Sequence, residues 1–259
     1  MKVVIFAGGL GTRISEESHL RPKPMIEIGD KPILWHIMKI FSSQGFNDFI
    51  ICLGYKGYVI KEYFLNYFLH NSDVTIELKD NKVVVHNSNT EDLKVTLVDT
   101  GLNTKTAGRL KRVQHHLGTE DFMLTYGDGL ADIDLHKLLN YHKSHGRIAS
   151  ITAIQPLGRF GVMQINSDNS VDVFKEKVKD DEGWINGGFF VLKPDVFNYL
   201  PANADDIMWE HLPIQNLAKD DQLMAYQHHG FWMCMDALRD KMELEELWNS
   251  ANAKWKIWK

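Results

Sequence analysis

The sequence predicts an α/β protein: a mixed, mostly parallel sheet flanked by helices, Rossmann-like in type, with a smaller C-terminal sheet and helix portion. Three observations predict it. Short apolar runs alternate with amphipathic stretches of helical spacing. A glycine turn follows directly on the first apolar run, "VVIFAGGLG". No internal repeat, low-complexity tract or proline-rich linker divides the 259 residues, so 1–259 reads as a single domain.

Taken in order, "VVIFA" is the first strand. "KPILWHIMKIFSSQG" is a helix, with Pro32 near its start, apolar side chains at 33, 34, 37, 38, 40 and 41, and Gly45 where a C-terminal cap belongs. "DFIICLG" is a strand and "KGYVIKEYFLNYFL" a helix; strands near 74–78 and 95–98, a helix near 106–117 and the apolar run "DFMLTYGDG" complete a βαβ progression. From about residue 148 the texture changes. "RIASITAI", "GVMQI", "SVDVFKEK" and "NGGFFVL" are short strands with few helices between them, which points to a more antiparallel portion. Helices at "MWEHLPIQNLAKD" and "DALRDKMELEELWNS", separated by the strand "LMAYQHH", close the chain. Residues 1–147 therefore read as a βαβ part and 148–259 as a subordinate part.

Composition narrows the function classes. With 44% hydrophobic and 24% charged residues the chain has the profile of a globular protein. Its net charge of −5 gives no general attraction to nucleic acid or to an anionic membrane surface. Any polyanion must be held locally. No run approaches the roughly 20 apolar residues of a membrane span, and no signal peptide opens the chain, so it reads as cytoplasmic. Cys52 and Cys234 form no CxxC and read as structural thiols in a reducing compartment.

The chemistry gathers at "GGLGTR". A dinucleotide fingerprint would need a third glycine where Ile14 stands, and no Gly-Lys-Ser or Gly-Lys-Thr of a phosphate loop follows the strand. What remains is a turn whose exposed N–H groups can surround phosphate or a base edge, with Thr12 adding a hydroxyl and Arg13 a bidentate cation. A tight glycine turn with a surface arginine is the plainer reading. "RPKP" weighs against it, because Pro22 and Pro24 fix the backbone that presents Lys23. Arg13 and Lys23 together suit a triphosphate. A divalent metal would need carboxylates, and "YGDG" offers Asp128 at the end of an apolar strand, where ligands of open α/β sheets collect.

These segments resemble the sugar-1-phosphate nucleotidylyltransferases, whose signature is a GGxGTR loop followed by PKP. "PKPMIEIGDKPILWHIMK", "GYKGYVIKEYF", "VTLVDTG", "GRLKR", "INGGFFVL" and "MDALRDK" place the chain closest to the cytidylyl branch of that family. The resemblance implies the nucleotide-diphospho-sugar transferase fold and the reaction of CTP with glucose 1-phosphate to CDP-glucose and pyrophosphate, in service of dideoxyhexose and O-antigen synthesis. It also implies Mg²⁺ on Asp128 and Asp236, although Asp236 is equally a natural helix N-cap. The loop Phe6, Ala7, Gly8, Gly9, Leu10, Gly11, Thr12 and Arg13, with Lys23, Thr104, Arg109 and Gly127, is implied as the nucleotide site. Arg13 and Lys23 are the implied catalytic residues, and Glu176, Lys177, Asn186 and Gly187 the sugar-phosphate contacts. Val178 departs from the family's EKP element and Cys234 from its usual surroundings of the second aspartate.

Other readings stay open: a uridylyl or thymidylyl relative, or a catalytically silent nucleotide-sugar sensor. Asp132 and Asp134 read as a cap and a solvated loop residue, outside the site. The pairs His115 with His116, His142 with His145, and His228 with His229 lack the convergent partners of a zinc site. Trp248, Trp255 and Trp258 are expected to pack on the body or on another subunit, and with the family's habit they imply a homo-oligomer.

Overall fold

A computed structural model describes residues 1–88, 90–155, 162–165, 171–175 and 183–258. From the amino end run β1 (Lys2–Phe6), α1 (Ser15–Ser18), β2 (Glu27–Ile28), β3 (Lys31–Pro32), α2 (Ile33–Ser42), β4 (Asp48–Leu53) and α3 (Gly57–His70). β5 (Ser72–Glu77), β6 (Lys82–Ser88), β7 (Lys94–Asp99), α4 (Thr106–Arg112), α5 (Gln114–Leu117), β8 (Phe122–Tyr126) and β9 (Gly129–Ala131) follow. The remainder is α6 (Leu135–His145), β10 (Ala149–Ile154), β11 (Val162–Ile165), β12 (Val171–Lys175), β13 (Ile185–Leu192), α7 (Leu212–Lys219), β14 (Leu223–His228), β15 (Trp232–Cys234) and α8 (Leu238–Asn249).

Seven strands form the central sheet in the order β14-β10-β13-β8-β1-β4-β7. β1 is flanked in parallel by β4 and β8, and β7 extends the parallel set beyond β4. β13 runs antiparallel to both β8 and β10, so the change of texture after residue 148 is a change of strand direction within one sheet. Both faces are covered. Val3 and Ile5 point into a cluster with Ile37 and Phe41 of α2 and Leu244 of α8, while Val4 and Phe6 point into another with Leu110 of α4, Trp209 and Leu217 of α7. That two-sided burial is why β1 reads as a continuous apolar run and not as an alternation.

The expected mixed sheet with flanking helices is present, and local departures have physical causes. The helix expected over 106–117 is interrupted at Val113 (φ −96°, ψ 0°), whose side chain is drawn wholly into the core. β6 was not foreseen: it pairs with β5 in a hairpin turned at Asn81, which has positive φ, and its mostly exposed faces give no core-facing alternation. The helix expected from Met208 begins only at Leu212, because Ile207 O accepts from Ala107 N and Trp209 N donates to Thr106 Oγ1, tying that stretch to α4. The late tryptophans pack on their own chain. Trp255 is fully buried, its Nε1 lies 3.4 Å from His36 Nδ1, and Trp248 stands edge-on to His36 at 4.7 Å between ring centroids.

Candidate active site

The parallel strands β1, β4, β7 and β8 end along one edge of the sheet, and the loops that leave them surround a cavity of about 640 Å³. Phe6, Ala7, Gly8, Gly9, Leu10, Gly11, Thr12 and Arg13 line it, with Lys23, Thr104, Arg109, Gly127, Asp128 and Asp236. The loop's shape needs glycine at two places. Gly11 has φ +65°, in the left-handed region, and accepts from Ile14 N to turn the chain. A Cβ on Gly8 would overlap the Arg109 guanidinium.

Arg109 is buried and holds the floor. Its Nη1 donates to Leu53 O, Gly101 O and Thr100 Oγ1 at 2.8–2.9 Å, and its Nη2 donates to Gly8 O at 2.8 Å. One guanidinium thus ties together the ends of β1, β4 and β7. Burial pulls its pKa below the ordinary arginine value, and the charge lies directly under the glycine loop. Cys52, on the same strand end, is fully buried and its thiol is pushed up to about 12, chiefly by burial; it is inert.

Lys23 sits in a short turn in which Met25 N bonds Pro22 O and Ile26 N bonds Lys23 O. Its side chain is only 13% exposed, and Nζ donates to Asp128 Oδ2 at 2.6 Å and to Asp236 Oδ1 at 2.7 Å. Burial works against this ammonium, but the two carboxylates outweigh it and raise its pKa above the ordinary lysine value. Burial likewise opposes the charge on Asp236, while Lys23 and Arg13 prevail and hold its carboxyl below the usual range. Arg13 Nη1 donates to the other oxygen, Asp236 Oδ2, at 2.8 Å.

The two carboxylates come from distant parts of the chain, and a two-stranded ribbon brings them together. β9 leaves directly after Asp128, β15 ends just before Asp236, Gly129 is paired with Cys234, and Met235 N donates to Asp128 O at 2.9 Å. Asp236 is not the cap of α8. Asp240 Oδ2 accepts from the backbone N–H groups of Asp236 and Ala237, which leaves the Asp236 carboxylate to the cations. Cys234 lies 3.7 Å from Asp236 Oδ2, and burial, then the neighbouring carboxylates, push its thiol up to about 12. It stands beside the site as a neutral thiol.

Asn186 donates to Tyr126 Oη at 3.1 Å and accepts from Gly188 N, and Gly187 O accepts from Trp232 Nε1 at 2.7 Å. Both residues adjoin the cavity on the β8–β13 side without lining it. Glu176, Lys177 and Val178 lie outside the described residues. The cap is Asp134 and not Asp132: Asp134 Oδ1 accepts from Lys137 N at the start of α6, so it is no free loop residue, while Asp132 Oδ1 lies 3.0 Å from His228 Nε2. Tyr126 and Glu210 also line the cavity and were not anticipated. Glu210 accepts from Thr106 Oγ1 at 2.9 Å, in a stretch that read as helix. The signal for Tyr126 was available in "YGDG", one residue before the glycine.

Residues 2–244 match the nucleotidyl transferase family model. Over all 259 residues, and the full length of the relative, the chain is 54% identical to glucose-1-phosphate cytidylyltransferase of Salmonella typhimurium. It is 34% identical over 199 residues, 76% of this chain and 78% of the relative, to D-glycero-alpha-D-manno-heptose 1-phosphate guanylyltransferase of Campylobacter jejuni. Among solved structures it shares its fold with HddC from Yersinia pseudotuberculosis, at a TM-score of 0.68 and 24% identity over 95% of this chain and 99% of that one. A UDP-glucose pyrophosphorylase solved with UDP-glucose is similar to the same degree in fold, with a TM-score of 0.68 and 17% identity over 96% and 98% of the two chains.

Proposed function

The chain belongs to the nucleotidyl transferase family, and on that premise we propose that it transfers the cytidylyl group of CTP to glucose 1-phosphate, giving CDP-glucose and pyrophosphate. The observation that carries the choice of substrates is the 54% identity, end to end, with a glucose-1-phosphate cytidylyltransferase. The observation that supports the reaction class is the meeting of Arg13, Lys23, Asp128 and Asp236 beside a glycine loop.

The nucleophile is an oxygen of the sugar phosphate, already anionic because the second ionisation of a phosphate monoester lies near pH 6. No general base is needed. The oxygen attacks the α-phosphorus in line, the bond to the β-phosphate oxygen breaks, and pyrophosphate leaves with the electron pair. The protein's work is alignment and charge. The backbone N–H groups of Gly9–Gly11 and the Thr12 hydroxyl receive the phosphates, Arg13 and Lys23 offset the charge growing on the α-phosphate and the leaving group, and Thr104 lines the base side. Arg109 supports the loop from below and presents its charge through it. Glu176, Lys177, Asn186 and Gly187 are assigned to the sugar phosphate.

Mg²⁺ fits the donor set, since Asp128 and Asp236 already converge on one cationic group, the Lys23 ammonium. When bound there it would neutralise phosphate charge in the transition state. Two carboxylates completed by substrate phosphates is a usual magnesium arrangement. No helix among the described residues is long and apolar enough to cross a membrane. A cytoplasmic location, a role in surface-polysaccharide sugar synthesis, and one transferase unit over 1–259 with its nucleotide part in about 1–147 belong to the same proposal. So does a homo-oligomer, supported by the exposed apolar side chains Leu65, Phe68, Ile76 and Leu78 on α3 and the β5–β6 hairpin. Light scattering decides the last point: a mass of 29.8 kDa would sink it.

The deciding assay is pyrophosphate release with CTP, UTP, dTTP and GTP, each with glucose 1-phosphate. CTP should be strongly preferred. Preference for UTP or dTTP would move the chain to another branch, and tight CTP binding without release from any of the four would make it a sensor.

A further inference from the structure

Lys23 stands where two demands cross. Its ammonium lies within 2.7 Å of one oxygen of each carboxylate, and the same side chain lines the cavity of the glycine loop. Mg²⁺ would sit about 2.0–2.1 Å from those oxygens, so on the same two oxygens the ammonium and the metal compete for the same lone pairs and repel each other as close like charges. Arg13 is engaged in the same way, on the remaining oxygen of Asp236. The two basic groups best placed for phosphate are therefore also the counter-ions of the two acidic groups best placed for metal.

A second observation points the same way. Among the described residues no group of three or more His, Cys, Asp or Glu side chains could hold a metal ion. Of the described residues, Asp128 and Asp236 converge there, and phosphate oxygens and water are the natural further ligands. The metal's hold on the chain is thus incomplete until a polyphosphate is present.

We infer that Lys23 is an exchangeable counter-ion: it occupies Asp128 and Asp236 until a nucleoside triphosphate draws its ammonium onto phosphate, so that the divalent cation and the triphosphate bind with positive coupling. This rests on the reading of Asp128 and Asp236 as the metal's ligands. The exchange leaves the carboxylates one charge more positive, because a +1 group leaves as a +2 ion arrives, and the phosphates bring the negative charge that takes up the released ammonium. By reciprocity the metal also helps the triphosphate, since it releases Lys23 for the phosphates.

The test uses Mn²⁺ as the metal probe and the electron paramagnetic resonance signal of free Mn²⁺ as readout, on the full chain without nucleotide. Lys23→Met keeps the apolar stem and removes the charge, and Lys23→Gln serves if that variant does not fold by circular dichroism. Removing the ammonium should tighten Mn²⁺ binding by roughly tenfold, within the usual range of such coupling. Adding Asp128→Asn to the same variant should abolish the gain. With saturating α,β-methylene CTP the wild type and Lys23→Met should converge, because the lysine has by then left the carboxylates. Equal Mn²⁺ affinity of wild type and both lysine variants without nucleotide would overturn the inference, as would a gain that survives Asp128→Asn or a gap unchanged by the analogue. The readout involves no turnover. Failure of pyrophosphate release with an intact Mn²⁺ pattern would remove the substrate assignment alone, and turnover with no Mn²⁺ pattern would remove the counter-ion alone.

Discussion

Lys23 reaches Asp236 across 213 residues of chain, and His36 reaches Trp255 across 219. Both contacts sew the amino-terminal segment to the carboxy-terminal one, and they do it with opposite materials. The first is a knot of two cations and two carboxylates at the open edge of the sheet, every member of which lines the cavity. The second is dry and neutral. His36 Nε2 donates to Ile28 O at 2.8 Å, its Nδ1 is left to accept from Trp255, and Trp248, Trp255 and Phe231 stack around it. On the function proposed above one seam must open and the other stay shut, so stability and activity should separate when each is cut.

The largest effect is expected on the closed seam. Trp255 is fully buried, and Trp255→Ala should cost about 3–5 kcal/mol of stability, the usual range for truncating a core aromatic. Urea unfolding followed by circular dichroism measures it. Where the variant is folded, its turnover should be close to that of the wild type. A loss below about 1 kcal/mol would mean that the aromatic cluster holds nothing together.

Cutting the open seam should do the reverse. Lys23→Ala should lower turnover by roughly a hundredfold to a thousandfold, or about 3–4 kcal/mol of barrier, as for removal of one preorganised donor. Asp128→Asn should raise the Mg²⁺ requirement of pyrophosphate release, since the amide keeps the shape and loses a charged ligand. Neither should shift the urea midpoint as far as Trp255→Ala does. Near-normal turnover in either folded variant would remove that residue from the mechanism.

The two seams also differ in how far the sequence discloses them. Arg13, Lys23 and Asp128 are legible because each is framed by local backbone chemistry: a glycine turn, two prolines, and a strand end between glycines. Asp236 is half legible, since only the structure shows that Asp240 takes over the start of α8 and frees it. His36 is invisible as a seam. It lies on the apolar face of α2, and nothing local tells that its imidazole meets tryptophans two hundred residues later. Glu210 and the start of α7 were missed for the same reason, because the backbone there is ordered by α4 and not by its own propensity. Strands buried on both faces announce themselves; contacts made by tertiary packing do not.

Acid should strain the closed seam first. Burial lowers the His36 pKa from 6.5 to about 4, and that of His142 to about 4 as well. Between those values the unfolded chain binds protons that the folded chain refuses, so stability falls as pH drops from about 6.5 to about 4 and is flat just above 6.5. Each histidine accounts for at most about 3 kcal/mol over that window. The Asp236 knot survives further down, because a depressed carboxyl loses its contribution only as pH falls through its own folded pKa, below the ordinary carboxylate range. Urea midpoints at half-unit steps should show the slope, and His36→Gln should flatten it. A slope unchanged in that variant would mean that His142 and other groups supply the acid sensitivity.

The smallest effect separates structure from ligand within the open seam itself. Arg13 is 75% exposed although its Nη1 touches Asp236. An ion pair this wet gains little Coulomb energy, orders a long side chain, and is screened by salt, so Arg13→Ala should change folding stability by less than about 1 kcal/mol. Its effect on the nucleotide should be much larger. The glycine loop offers Arg13 to any triphosphate seated in the cavity, where the guanidinium can meet phosphate bidentately, and a hydrogen bond between charged groups is worth about 1.5–3 kcal/mol. Calorimetric titration of CTP with Mg²⁺ should therefore show roughly tenfold to a hundredfold weaker binding in Arg13→Ala. Equal CTP affinity in the two proteins would make Arg13 a bystander, and a stability loss as large as that of Trp255→Ala would make it part of the closed seam after all.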